Sequence, residues 1–152
     1  MRVGDVMSRQ VVTVEESESC QVALTRMHRA RVRHLPVVNR VGDLVGVMTD
    51  RDLRHHLFAP DVYGQLGDRP VAALLDAAPV KAIMSAPAVS VGPETELMDA
   101  ARRMRGEKVG SLPVVERGRV VGIITETDLL RQICRADAAC PPEVAEIVVS
   151  YP

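Results

Sequence analysis

The chain has 152 residues, 47% of them apolar and 26% charged, with a formal net charge of −1. That balance describes a globular chain, one domain or two small ones sharing a core, and excludes a general electrostatic pull toward nucleic acid. Aromatic residues are only 2%, so the stacking platforms that hold single-stranded nucleic acid are nearly absent, although arginine far outnumbers lysine. No apolar run approaches the roughly 18 residues of a membrane span. The N-terminus lacks the charged-then-apolar pattern of a signal peptide. Cys20, Cys134 and Cys140 are an odd number with no Cys-x-x-Cys pair, which argues against a disulfide framework and fits a reducing compartment. A cytoplasmic location is the expectation.

In chain order, Val6-Met7-Ser8 precedes a short β-branched strand at 11–14, and Ser17 opens a helix. Cys20, Ala23, Leu24 and Met27 recur at i, i+3, i+4 and i+7, one face of that helix, with Arg26 and Arg29 on the solvated face. A strand follows at Arg33–Val38. Its Pro36 cannot donate to a ladder, so it belongs at an edge or a strand start. A hairpin at Asn39–Asp43 leads to a third strand, Val45–Met48. That strand ends in Gly46-Val47-Met48-Thr49-Asp50-Arg51-Asp52-Leu53, where an apolar run reaches a Thr and a helical pattern begins at Asp52. Pro60, Gly64, Gly67 and Pro70 punctuate the longer segment Ala59–Pro79, with a short helix expected over Val71–Ala77.

The chain then repeats itself. Val6-Met7-Ser8 returns as Ile83-Met84-Ser85, the first strand as 88–91, and Leu35-Pro36-Val37-Val38 as Leu112-Pro113-Val114-Val115. Pro93-Glu94 opens a helix with Leu97, Ala100, Ala101 and Met104 on its apolar face. A strand at Ser111–Val115 turns through Glu116–Arg119, where Gly118 can take positive φ. Val120–Ile124 then runs into the second copy of the motif, Gly122-Ile123-Ile124-Thr125-Glu126-Thr127-Asp128-Leu129. The organisation is a first repeat at 1–58, a linker at 59–79, a second repeat at 80–135 and a tail at 136–152. In the tail, Val144–Val149 suggests a last helical turn. Each repeat reads strand, helix, strand, strand, helix, a mixed α/β (α+β) fold in tandem.

Two readings of the duplicated Thr-x-x-Asp stand side by side. In one it is a capping box, with Thr accepting from a first-turn N–H and the acid reaching back. In the other, free N–H groups and the helix dipole favour a phosphate while the carboxylate takes ribose hydroxyls. The apolar stripes Leu24/Met27 and Ala101/Met104 suggest a homodimer, since so small a pair is not expected to cover them. His28, His34, His55 and His56 all fall in the first repeat. His55 and His56 point about 100° apart on a helix, so no metal site is expected. No Gly-rich phosphate loop or nucleophile triad stands out, and an enzyme is not expected.

The motifs Val6-Met7-Ser8, Arg31-Val32-Arg33-His34-Leu35-Pro36-Val37-Val38 and Gly46–Asp52, with their second copies, resemble the CBS domain pair, or Bateman module, in its stand-alone bacterial form. The resemblance implies two repeats packed about a pseudo-twofold axis, with two clefts between them. It implies adenine-bearing ligands there: AMP, ADP or ATP, or else NAD or S-adenosylmethionine. Asp52 and Asp128 become ribose ligands, with Thr49 and Thr125 beside them. Val32, Arg33, His34 and their partners Val109, Gly110, Ser111 become adenine-side walls. The motif of one repeat should face the pre-proline strand of the other. Thr125 and Asp128 would then share a cleft with Arg33 and His34, and Thr49 and Asp52 with Gly110 and Ser111. On that basis Arg33 favours phosphate in the first cleft, with His34 protonating near its ordinary pKa, and the second has only Arg51. The resemblance implies a homodimer and a regulatory module that senses adenine nucleotides, its cleft closure relayed to a protein in trans. A ligand-free protein-interaction module, with Thr-x-x-Asp only as a cap, is the alternative.

Overall fold

A computed structural model of the protein describes residues 1–64 and 70–136; Gly67 and the expected turn at Val144–Val149 lie outside them. The first part of the chain forms α1 (Val3–Val6), β1 (Val14–Glu15), α2 (Cys20–Ala30), β2 (His34–Val38), β3 (Leu44–Thr49) and α3 (Asp50–Leu57). The linker carries α4 (Pro60–Tyr63) and the expected short helix α5 (Val71–Ala77). After a 3-10 turn at Val80–Ala82 come α6 (Leu97–Glu107), β4 (Ser111–Glu116), β5 (Arg119–Thr125) and α7 (Glu126–Ala136). This is a mixed α+β fold, written twice.

In the first sheet β1 runs parallel to β2 and β2 antiparallel to β3; in the second, β4 and β5 are antiparallel. The strands expected at 11–14 and 88–91 begin to pair only at their last residues, Val14 and Val91. The prolines account for this and for their own interior positions. Val91 donates to the Pro113 carbonyl at 3.1 Å, so the proline nitrogen faces the same edge, where the short strand has not yet begun. Both hairpins close as expected, Gly118 at φ 81 beside Arg117 at φ 50, the two left-handed residues of a type I′ turn.

The helix starts differ from expectation. Ser19, not Ser17, caps α2: its Oγ accepts from the Val22 N–H at 3.3 Å and donates to Asp76 of the linker at 3.0 Å. Ser17 instead bonds Glu15. Pro93-Glu94 lies in the turn before α6, which starts at Leu97. Arg26 is not simply solvated. Its guanidinium bridges both Glu18 oxygens, at 2.6 and 2.7 Å, and the Thr13 carbonyl. Of the stripes expected to drive dimerisation, Met27 is 2% and Met104 3% exposed, each in the core of its repeat, whereas Leu24 and Ala101 are half-buried. Cys20 is fully buried beside Met27, and burial pushes its thiol up to about 11.

The repeat boundaries are not the core boundaries. Val3 and Met7, from the start of the chain, belong to the core of the second repeat; Leu75 and Val80 belong to that of the first. Two short backbone crossings seat them. Ser8 and Ile123 exchange N–H···O bonds of 2.9 and 3.0 Å, and Ser85 and Val47 exchange two of 3.0 Å. The motif glycines lie directly beneath. A Cβ on Gly46 would stand 2.7 Å from Met84 Sδ and 2.9 Å from the Ser85 carbonyl; one on Gly122 would meet Met7 Sδ. Close backbone approach thus favours glycine at Gly46, and the Met7 side chain with the Ser8 carbonyl at 3.2 Å does so at Gly122, which explains why Met-Ser and the motif glycine recur together. Gly46→Ala and Gly122→Ala should each cost about 1–3 kcal/mol through overpacking, read as a lower midpoint in chemical denaturation with an unchanged slope.

Candidate functional site

The crossings bring the motif helix of each repeat against the pre-proline strand of the other, leaving two clefts. One, of about 290 Å³, is lined by Val32, Arg33 and His34 of the first repeat and by Thr125 and Asp128 of the second. The other, of about 350 Å³, is lined by Thr49, Arg51 and Asp52 and by Val109, Gly110 and Ser111. All eleven residues expected from the sequence line one cleft or the other, in the crossed arrangement. Both volumes sit at the lower end of small-molecule sites, roughly 300–1,000 Å³.

Both Thr-x-x-Asp motifs close a capping box. Asp52 Oδ2 accepts from the Thr49 N–H at 2.8 Å, and Thr49 Oγ1 accepts from the Asp52 N–H at 3.1 Å. Asp128 Oδ2 accepts from the Thr125 N–H at 2.9 Å and from its hydroxyl at 2.7 Å. The box occupies one carboxylate oxygen and leaves the other outside it. In Asp128 that oxygen, Oδ1, lies 3.5 Å from Arg131. Capping and ligand holding are therefore compatible, and Asp→Ala would remove a cap as well as a ligand. The N–H groups expected to greet a phosphate are partly spent: Asp50 N–H bonds the Arg33 carbonyl at 3.1 Å and Glu126 N–H the Gly110 carbonyl at 3.0 Å. With acidic side chains in the first turn, an anion in either cleft depends on cationic side chains rather than on the dipole.

Those cations are distributed differently from the sequence expectation. Arg33 lines both clefts, and the Asp52 cleft also has Arg54 and Lys108 beside Arg51. Arg33 therefore does not set the two apart. The Asp128 cleft has Arg31 and Arg131. Arg54 is drawn to Asp50 at 2.8 Å. The aliphatic pairs Val11–Val12 and Ala88–Val89 form walls that the sequence reading took only as strand residues. Their equivalence in the two repeats, shared by Arg31 and Lys108, is the signal that could have marked them.

His34 breaks the symmetry. Its Nε2 stands 3.3 Å from where a Gly110 Cβ would lie, and Glu126 Oε2 stands 3.5 Å from that point, so the imidazole fills the space that glycine leaves. Burial pushes the His34 pKa down from its ordinary 6.5, as does Arg33; Asp50, Glu126 and Asp52 pull it up without offsetting this. The expectation that it protonates near its ordinary value is corrected accordingly. Because the unfolded chain binds the proton more readily, stability should fall as pH drops through 6.5 and level off below the lowered folded pKa. His34→Gln should flatten that slope in urea midpoints measured between pH 5 and 8.

A family model for the CBS domain matches residues 3–59 and 80–135. A CBS domain-containing protein of Dictyostelium discoideum is 32% identical over 93% of this chain and 97% of its own. The chain belongs to the CBS domain family, and its two repeats form a CBS domain pair. Some other curated relatives are longer, and the chain spans 24% of one of them, a homoserine O-acetyltransferase of Methanococcoides burtonii to which it is 33% identical. The CBS pair of protein MJ0100, solved with 5′-methylthioadenosine and S-adenosyl-L-methionine, has the same fold, with a TM-score of 0.75 at 23% identity, covering 90% of this chain and 98% of that one. The structure of CBSX2 in complex with AMP superposes with a TM-score of 0.72 at 28% identity, over 88% and 97% of the two chains.

Proposed function

We propose that this CBS pair is a regulatory sensor of adenine nucleotides, with no reaction of its own, and that cleft occupancy is relayed to a protein in trans. The observation that carries the reading is the crossed cleft: a Thr–Asp motif with one carboxylate oxygen outside its cap, facing an aliphatic wall from the other repeat. A ribose diol is matched by that oxygen, and a purine by the valines. CBSX2, which shares this fold, was solved with AMP. A ligand in either cleft touches both repeats, so binding energy acts on their relative position. A cytoplasmic setting supplies such nucleotides; among the described residues no helix is long and apolar enough to cross a membrane.

AMP, ADP or ATP at about a hundred times its dissociation constant adds roughly 2.7 kcal/mol to stability, on the order of 5 °C in melting temperature for a chain this size. Asp52→Asn combined with Asp128→Asn keeps a cap acceptor but removes the charged one. The double variant should melt near wild type when unliganded and lose most of the shift. If none of the three nucleotides moves the wild-type melt, the ligand-free interaction module replaces this reading.

We also propose a homodimer, on a different face from the stripes read in the sequence. Leu130 and Ile133 of α7 are 60% and 66% exposed, and Phe58, at the end of the equivalent helix α3, is 70% exposed. A second copy of the chain would cover these apolar groups. Light scattering should give a dimer at tens of micromolar, and Leu130→Glu with Ile133→Glu a monomer. A monomeric wild type at that concentration removes the proposal.

A further inference from the structure

Among the described residues, Arg31, Lys108 and Arg117 are the non-glycine residues with positive φ, at 54°, 56° and 50°. Arg117 belongs to the tight β4–β5 turn, whose geometry requires that conformation. Arg31 and Lys108 stand elsewhere. Each is the C-cap residue of a long helix, Arg31 after α2 and Lys108 after α6, with its N–H returning to that helix. Glycine is the usual occupant of such a position, because any Cβ there is strained. Both repeats nevertheless place a long cation there, at equivalent points of the sequence. Each cation lines a cleft, Arg31 that of Asp128 and Lys108 that of Asp52. The left-handed residue also turns the chain from the helix into the pre-proline strand, where the cleft wall begins.

The rest of the cleft chemistry leaves them a defined task. The first-turn N–H groups are partly consumed and flanked by acids. A ligand with several negative charges therefore needs cationic side chains, and Arg31 and Lys108 line the clefts from the opposite repeat alongside Arg33 and Arg51. We propose that Arg31 and Lys108 hold the terminal phosphates of a nucleoside di- or triphosphate, one in each cleft, while Asp128 and Asp52 hold its ribose. This rests on the nucleotide reading above and makes the preferred ligand polyanionic, against adenosine or the cationic sulfonium of S-adenosylmethionine. Arg31 can take two phosphate oxygens in a fork, whereas Lys108 acts as a point charge.

The test is calorimetry with adenosine and ATP on wild type, Arg31→Gly, Lys108→Gly and the double variant, with Arg117→Gly as control. Glycine relieves the backbone strain, so all of these should fold and melt a few degrees higher than wild type. Arg31→Gly and Lys108→Gly should each weaken ATP about tenfold at one site and leave adenosine unchanged, whereas Arg117→Gly should change neither. If the double variant melts higher yet binds ATP as wild type does, the two cations are helix caps and the proposal is overturned, with the nucleotide reading intact wherever adenosine still binds. If wild type binds neither ligand, the nucleotide reading itself fails and the proposal with it.

Discussion

Close contact of a Met-Ser segment with Gly46 and with Gly122 is the constraint from which the rest of the molecule follows. At each, the Met-Ser segment opening one repeat lies across the last strand of the other, close enough that a methyl group would collide with it. The paired N–H···O bonds of the next residue, Val47 or Ile123, fix the approach in register as well as distance. Because Val47 and Ile123 sit two residues before Thr49 and Thr125, the same contact determines where each motif helix starts. It also carries Val3 and Met7 into one core and Val80 into the other, so neither repeat completes its core from its own contiguous residues.

At those helix starts, one carboxylate serves two ends. Its Oδ2 completes the cap and leaves the other oxygen outside it. A carboxylate ordered by its cap would meet a ligand with the ordering entropy already spent on folding. The same capping weakens any case for anion binding by the helix dipole, because the N–H groups that would make it are partly taken and carboxylates stand beside them. An anion in either cleft would meet the arginines and Lys108 that line it instead.

The pseudo-twofold is also imperfect where it matters. His34 projects into the space at Gly110, and the equivalent Ser111 is 4% exposed and small. Arg33, with no side chain opposite it at Gly110, reaches both clefts. The two clefts thus share one wall, and charge placed in either is felt by the same guanidinium and imidazole.

Much of this was legible in the sequence because it is local or repeated. The 3.6-residue spacing of Cys20, Ala23 and Met27 gave the buried face of α2, Gly118 gave its turn, and Thr49–Asp52 and Thr125–Asp128 gave both caps. Duplication of the motifs, through their likeness to a known family, pointed to crossed clefts and to eleven residues that do line them. Helix starts lie a few residues from where the pattern puts them, since Ser17 and Ser19 carry the same capping chemistry and only the contact with Asp76 chooses between them. The exchange of opening segments, the internal burial of Met27 and Met104, the lowered pKa of His34 and the sharing of Arg33 depend on residues far apart in the chain. No periodicity encodes such distances. Sequence by itself determined which groups could act; packing at two glycines decided which of them face one another.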